Sequence, residues 1–174
     1  MVKSILFSSF ILFCATIIEA SILSNINFLL VVPDLVLICT IYFSLLNDKT
    51  IGETTGFIYG LFLDFITGMP LGFNCLYRTV ICYVTGIFSS TVIITGIFIP
   101  VVSVGIATIV KTILVKFVSI LFPNTGLFVF GLISPQFLFE FIENIILAPF
   151  LFRFLGFFKS YLAIKTTQDK VSNV

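Results

Sequence analysis

Apolar residues in this chain run in long unbroken blocks. They show neither the alternation of a half-buried strand nor the stripe of a surface helix, which repeats about every 3.6 residues. Four blocks cover about residues 4–23, 28–46, 51–67 and 72–90; a fifth ends near 122, and a sixth covers about 127–149. Polar punctuation separates most of them: "SNIN" after the first, "NDKT" after the second, Gly68-Met69-Pro70 after the third and "PNTG" after the fifth. Between the fourth and fifth, only Ser89-Ser90, Gly96 and Pro100 interrupt "SSTVIITGIFIP". A helix crossing a bilayer needs about 20 apolar residues, whereas barrel strands alternate over segments of about ten. The pattern predicts an all-α, polytopic membrane bundle of six transmembrane helices, with residues 1–158 as one domain and 159–174 as a C-terminal tail.

The stretch after Pro149, "FLFRFLGFFKSYLAIK", has two readings. It is either an amphipathic helix lying at the interface, or a continuation of the sixth helix with its cations snorkelling outward. The closing "TTQDKVSNV" reads as a disordered tail.

Composition agrees with a membrane solvent. Of 174 residues, 59% are hydrophobic and 10% charged, against about 25% charged in soluble domains. A net charge of +1 gives no reason to expect nucleic acid as a partner. Lys3 ahead of an apolar run resembles the start of a signal peptide. Further spans follow, however, and Glu19-Ala20-Ser21 is a poor cleavage site, so the first block reads as an uncleaved helix. Cys14, Cys39, Cys75 and Cys82 all sit within apolar runs, and the chain has no His. No disulfide, metal or cofactor is expected.

Lys and Arg set the orientation. Lys3, Lys49, Arg153, Lys159, Lys165 and Lys170 fall on one side if the spans number six, and the intervening turns "SNIN", "TGMP" and "PNTG" carry no cation. Both termini are therefore expected in the cytoplasm.

Ionisable groups inside spans are costly, and each is a candidate functional site. Counting the helical rise places Asp34 near the outer end of the second helix, Asp64 about 18 Å above Gly52, and Arg78 about 9 Å below Gly72. All three belong to the outer half of the membrane, where Asp34, Asp64 and Arg78 are expected to form a charge cluster. Its plainest role is an ion pair that locks the fold. Lys111 comes level with Glu140 and Glu143, which share a face of the sixth helix; an interhelical clamp on Lys111 is the expected arrangement, with a proton or cation site as the transporter-like alternative. Pro33 can open a helix without losing a needed hydrogen bond, and Asp34 beside it suits the positive helix end.

The stretch "GETTGFIYGLFLDFITGMPLG" places Gly52, Gly56, Gly60, Gly68 and Gly72 on a four-residue beat, with Asp64 on the missing one. In lipid, helices associate by close backbone contact through small residues. This ladder is expected to be a packing seam, filled either by another helix of the chain or by a partner's, with Asp64 covered by the neighbour.

These motifs resemble those of the rod-shape-determining membrane protein family MreD. The resemblance rests on Pro33-Asp34-Leu35, on Gly56, Gly60 and Asp64, and on Pro70-Leu71-Gly72, and spans about residues 33–86. It implies a non-enzymatic component of the bacterial inner membrane that supports cell shape and lateral peptidoglycan synthesis. The implied partners are the bitopic protein MreC and, through it, an MreB filament and the peptidoglycan synthases. It also implies a bundle resembling the six-helix substrate-binding subunits of energy-coupling-factor transporters. A vitamin-binding subunit of that kind is the alternative function, though the absence of Trp and His leaves it few ligand-holding groups. An intramembrane enzyme with an aspartyl dyad of Asp34 and Asp64 is a third reading; it would need both carboxylates close together and facing water, and Arg78 is an equally available partner.

Overall fold

A computed structural model describes residues 2–22, 31–89, 96–121, 131 and 134–163. Among these residues the chain is all-helical. Helix α1 is Val2–Ile17, continued by one π-helical turn, Ile18–Ile22. Next come α2 (Leu35–Leu46), α3 (Lys49–Thr67) and α4 (Phe73–Ile87), then α5 (Phe98–Leu121), α6 (Pro135–Phe157) and a one-turn α7 (Lys159–Leu162).

Helix α2 is the hub. All residues from Val36 to Leu45 are buried, and α2 packs against α1, α3, α4, α5 and α6. At a rise of about 1.5 Å per residue, its twelve residues are only about 18 Å long. It is shorter than its hydrophobic block because Val31 to Asp34 are not helical: the residue before a proline is biased away from helix, and Asp34 caps the start.

Other boundaries differ for local reasons. The division between the fourth and fifth blocks falls after Ile87 and before Phe98. Helix α6 starts late, with Ser134 Oγ accepting the Phe137 N–H at 3.2 Å, and continues past Pro149 to Phe157. Of the two readings for the stretch after Pro149, continuation therefore describes it to Phe157. A proline there leaves one carbonyl four residues back without its helical donor, which a packed membrane helix tolerates. Helix α7 folds back onto α1, where Phe7 meets Phe158 and Tyr161 at ring distances of 5.5 and 5.8 Å. The expected turns "SNIN" and "PNTG" and the final "TTQDKVSNV" lie outside the described residues.

Polar and apolar groups are distributed the opposite way from a soluble protein. Arg78, Asp64 and Asn144 are essentially fully buried, while Phe98, Phe150 and Phe157 are 85%, 69% and 75% exposed. Charge inside and aromatic side chains outside suit a hydrocarbon solvent, and the chain is a membrane protein. Among the described residues, one helix, Phe98–Ile120, is long and apolar enough to cross a bilayer. Helix α4 is shorter, at 15 residues, and α3 and α6 each carry three charged residues along their length.

The glycine ladder holds α3 against α4. A Cβ on Gly52 would lie 2.8 Å from the Cys82 carbonyl oxygen, one on Gly56 2.8 Å from that of Arg78, and one on Gly60 2.5 Å from Cys75 Cα. No side chain fits between the two backbones, so the seam is filled within the chain. Gly68 and Gly72 do not belong to it. Their φ angles of +68° and +93° make them turn residues, where a left-handed backbone favours glycine.

These contacts predict that Gly60→Ala lowers stability by about 1–3 kcal/mol through overpacking. Gly156, in helical conformation with open space around it, is the control. Thermal unfolding in detergent should show Gly156→Ala unchanged or slightly stabilised; equal losses in both variants would count against the seam.

Candidate functional site

The first N–H groups of α2 open into the interior, where no water is at hand to satisfy them. Two carboxylates do so. Asp34 Oδ1 accepts the Leu37 N–H at 2.8 Å, and Glu19 Oε2, carried on the π-helical turn, accepts the Val36 N–H at 2.9 Å. Two cations then balance the carboxylates. Arg78 Nη2 of α4 lies 2.7 Å from Asp34 Oδ1 and 3.7 Å from Glu19 Oε1. Lys111 Nζ of α5 lies 2.8 Å from Asp34 Oδ2 and 2.5 Å from Glu140 Oε1 of α6.

Asn144 completes the site. Its Oδ1 accepts the Asp34 backbone N–H at 2.9 Å, and its Nδ2 donates to Thr108 Oγ1 at 3.2 Å. The charge count is instructive. Three carboxylates, those of Glu19, Asp34 and Glu140, face two cations, and the N-terminal end of α2 adds positive potential beside the two that cap it. Asp34 alone connects α2, α4, α5 and α6. Arg78 Nε and Nη1 find no acceptor among the described residues; the guanidinium lies 5.4 Å from the Tyr77 ring centre.

Depth along the helices groups Asp64 with Arg78, and the geometry separates them. Asp64 caps α4 instead: Oδ2 accepts the Gly72 N–H at 2.9 Å, and Oδ1 accepts the Asn74 N–H at 2.9 Å and Asn74 Nδ2 at 2.8 Å. The open N-terminus of the next helix, eight residues along the chain, offers the carboxylate several donors at once. Asp64 and Asp34 therefore serve different networks and form no dyad. Glu143 is likewise apart from the Lys111 clamp; its Oε2 is buried without a hydrogen-bond partner among the described residues.

Three members escape a reading of the sequence. Glu19 stands out there only as a poor cleavage position, although an acid at the end of an apolar block is itself a signal. Asn144 lies four residues after Glu140, hence on the same face of α6. Thr108 gives no usable signal, since threonine is common in membrane helices and usually bonds its own backbone, as Thr108 also does to the Val104 carbonyl at 2.9 Å.

Removing one member of a buried ion pair leaves its partner uncompensated and costs about 3–5 kcal/mol. Lys111→Met and Glu140→Gln should each destabilise the protein in detergent unfolding, and the double variant should fall short of their sum by about 0.5–3 kcal/mol. Strict additivity would remove the clamp.

The arrangement can hold five segments of chain in one register, and its members are engaged with one another instead of facing an open pocket. No curated protein and no solved structure gives a significant match to this chain. The profile of one family does match, and it covers residues 1–158: the chain belongs to the rod shape-determining protein MreD family.

Proposed function

We propose that this protein is a non-catalytic scaffold of the cell-elongation (rod) complex, crossing the bacterial inner membrane six times with both termini in the cytoplasm. It binds an MreC-like single-span partner and, through that partner, serves an MreB-like filament and the peptidoglycan synthases. The family membership, over residues 1–158, carries this reading. Physical support comes from how the polar groups are used. The ion network around Asp34, the capping Asp64 and the glycine seam are each engaged within the chain, which favours a rigid body displaying an apolar exterior to neighbours in the bilayer.

The vitamin-binding alternative gains nothing specific. A cavity of about 570 Å³ between α4 and α5 is lined by Val80, Val84, Val102, Ile106 and other apolar groups. Its two hydroxyls, Thr85 and Ser103, already donate to backbone carbonyls of their own helices, leaving few polar anchors for a ligand.

Two measurements test the proposal. In a rod-shaped bacterium depleted of its own family member, this chain should restore rod shape and co-purify a co-expressed MreC-like partner. Reporter fusions after residues 48 and 163 should both report the cytoplasm. Round cells with no partner recovered would overturn the scaffold reading, and an external C-terminal reporter would overturn the topology.

A further inference from the structure

Glu143 is half-buried on α6, with its Oε2 shielded and without a hydrogen-bond partner among the described residues, and its position on the helix can be derived. Asn144 and Ala148 point to the core. Phe141 and Ile145 face α5, each placing atoms 3.7 Å from where a Cβ on Gly105 would lie. Successive helical residues turn by about 100°, so Glu143 stands on the flank of α6 opposite Ile145, away from α5. Phe139, Ile146 and Phe150 share that flank and are 51%, 56% and 69% exposed. Helix α6 packs on α5, α2 and α7, with no comparable packing against α1 among the described residues.

Among the described residues, no cation pairs with Glu143. Lys111 is bound by Asp34 and Glu140, and Arg78 by Asp34 and Glu19. Lys116, eleven residues after Gly105 and so on nearly the same stripe of α5, lies beyond the other side of α6. Lipid headgroups are also remote: Glu143 is eight residues from the Pro135 end of the helix and fourteen from the Phe157 end, or about 12 and 21 Å. Acyl chains offer no donor at all.

We propose that this flank of α6 is a docking face for a transmembrane helix of another protein that presents a Lys or Arg at the depth of Glu143. Charge complementarity selects the occupant, while Phe139, Ile146 and Phe150 supply the apolar contact on either side. The proposal deepens the scaffold reading, on which it rests, by stating where a single-span partner sits and what chemistry it must carry.

The test uses the full-length protein in phosphatidylcholine vesicles and designed single-span Leu/Ala peptides, labelled for energy transfer. One peptide carries a lone Lys at the depth of Glu143, and its control carries Leu there. The Lys peptide should bind wild type about 3- to 30-fold more tightly than the control. Glu143→Asp should keep the preference, and Glu143→Gln should lose it while unfolding at the wild-type temperature. Equal affinity for the two peptides overturns the proposal, as does a preference that survives Glu143→Gln. Self-association of labelled protein that depends on Glu143, without peptide discrimination, would overturn it too, by assigning the flank to a second copy. The scaffold reading is judged separately: cells regaining rod shape without any peptide preference sink the docking face alone, and a preference without restored shape sinks the scaffold alone.

Discussion

A helix that begins within protein surrounded by hydrocarbon must find partners for its first N–H groups, and this fold is organised around α2 meeting that demand. Pro33 breaks the preceding chain, and Asp34 caps the helix that begins after it. Once a carboxylate is committed there, its own charge must be met, and Arg78 and Lys111 converge on it. Those cations bring Glu140 and Glu19 with them. Each step answers the deficit left by the one before, so a requirement of the backbone ends as a network joining helices distant in sequence. In water such a network would add little. Within a membrane, where apolar burial does not distinguish helix from lipid, it supplies specificity that greasy surfaces cannot.

The α3–α4 hairpin solves a different problem by different means. Here cohesion comes from removing side chains: three glycines let the two backbones nearly touch, and the turn is fastened by Asp64 across the start of α4. Close contact holds this pair of helices, and charge holds the rest to it. The two devices share the same constraint, that polar atoms at membrane depth find their partners inside the protein.

A linear pattern encodes some of this and hides the rest. Helical rise gives depth, so Lys111 and Glu140 are legible as level, and the four-residue beat of Gly52, Gly56 and Gly60 marks a seam. Rise says nothing of which way neighbouring helices face. Asp64 and Arg78 share a leaflet by that count, yet Asp64 turns to the nearest helix start. Gly68 and Gly72 continue the same beat, but a beat cannot show where the backbone leaves the helix. Glu19 is obscured because its place at a block's edge has a ready explanation in processing signals. Its true role depends on the start of α2, which no local pattern in the first block contains. The α2 boundary itself is half legible: Pro33-Asp34 announces a helix start, but the hydropathy of the preceding residues argues for an earlier one.

Tyr77 touches both devices. Its ring lies 5.4 Å from the Arg78 guanidinium and 5.9 Å from Lys111 Nζ, while its hydroxyl donates to Asn74 Oδ1 at 2.7 Å, and Asn74 in turn holds Asp64. The bend joining α3 to α4, with Leu71 projecting from it, is thus wired to the innermost ions by three side chains. Whatever touches that bend from outside the bundle therefore stands a short run of side-chain contacts away from Asp34.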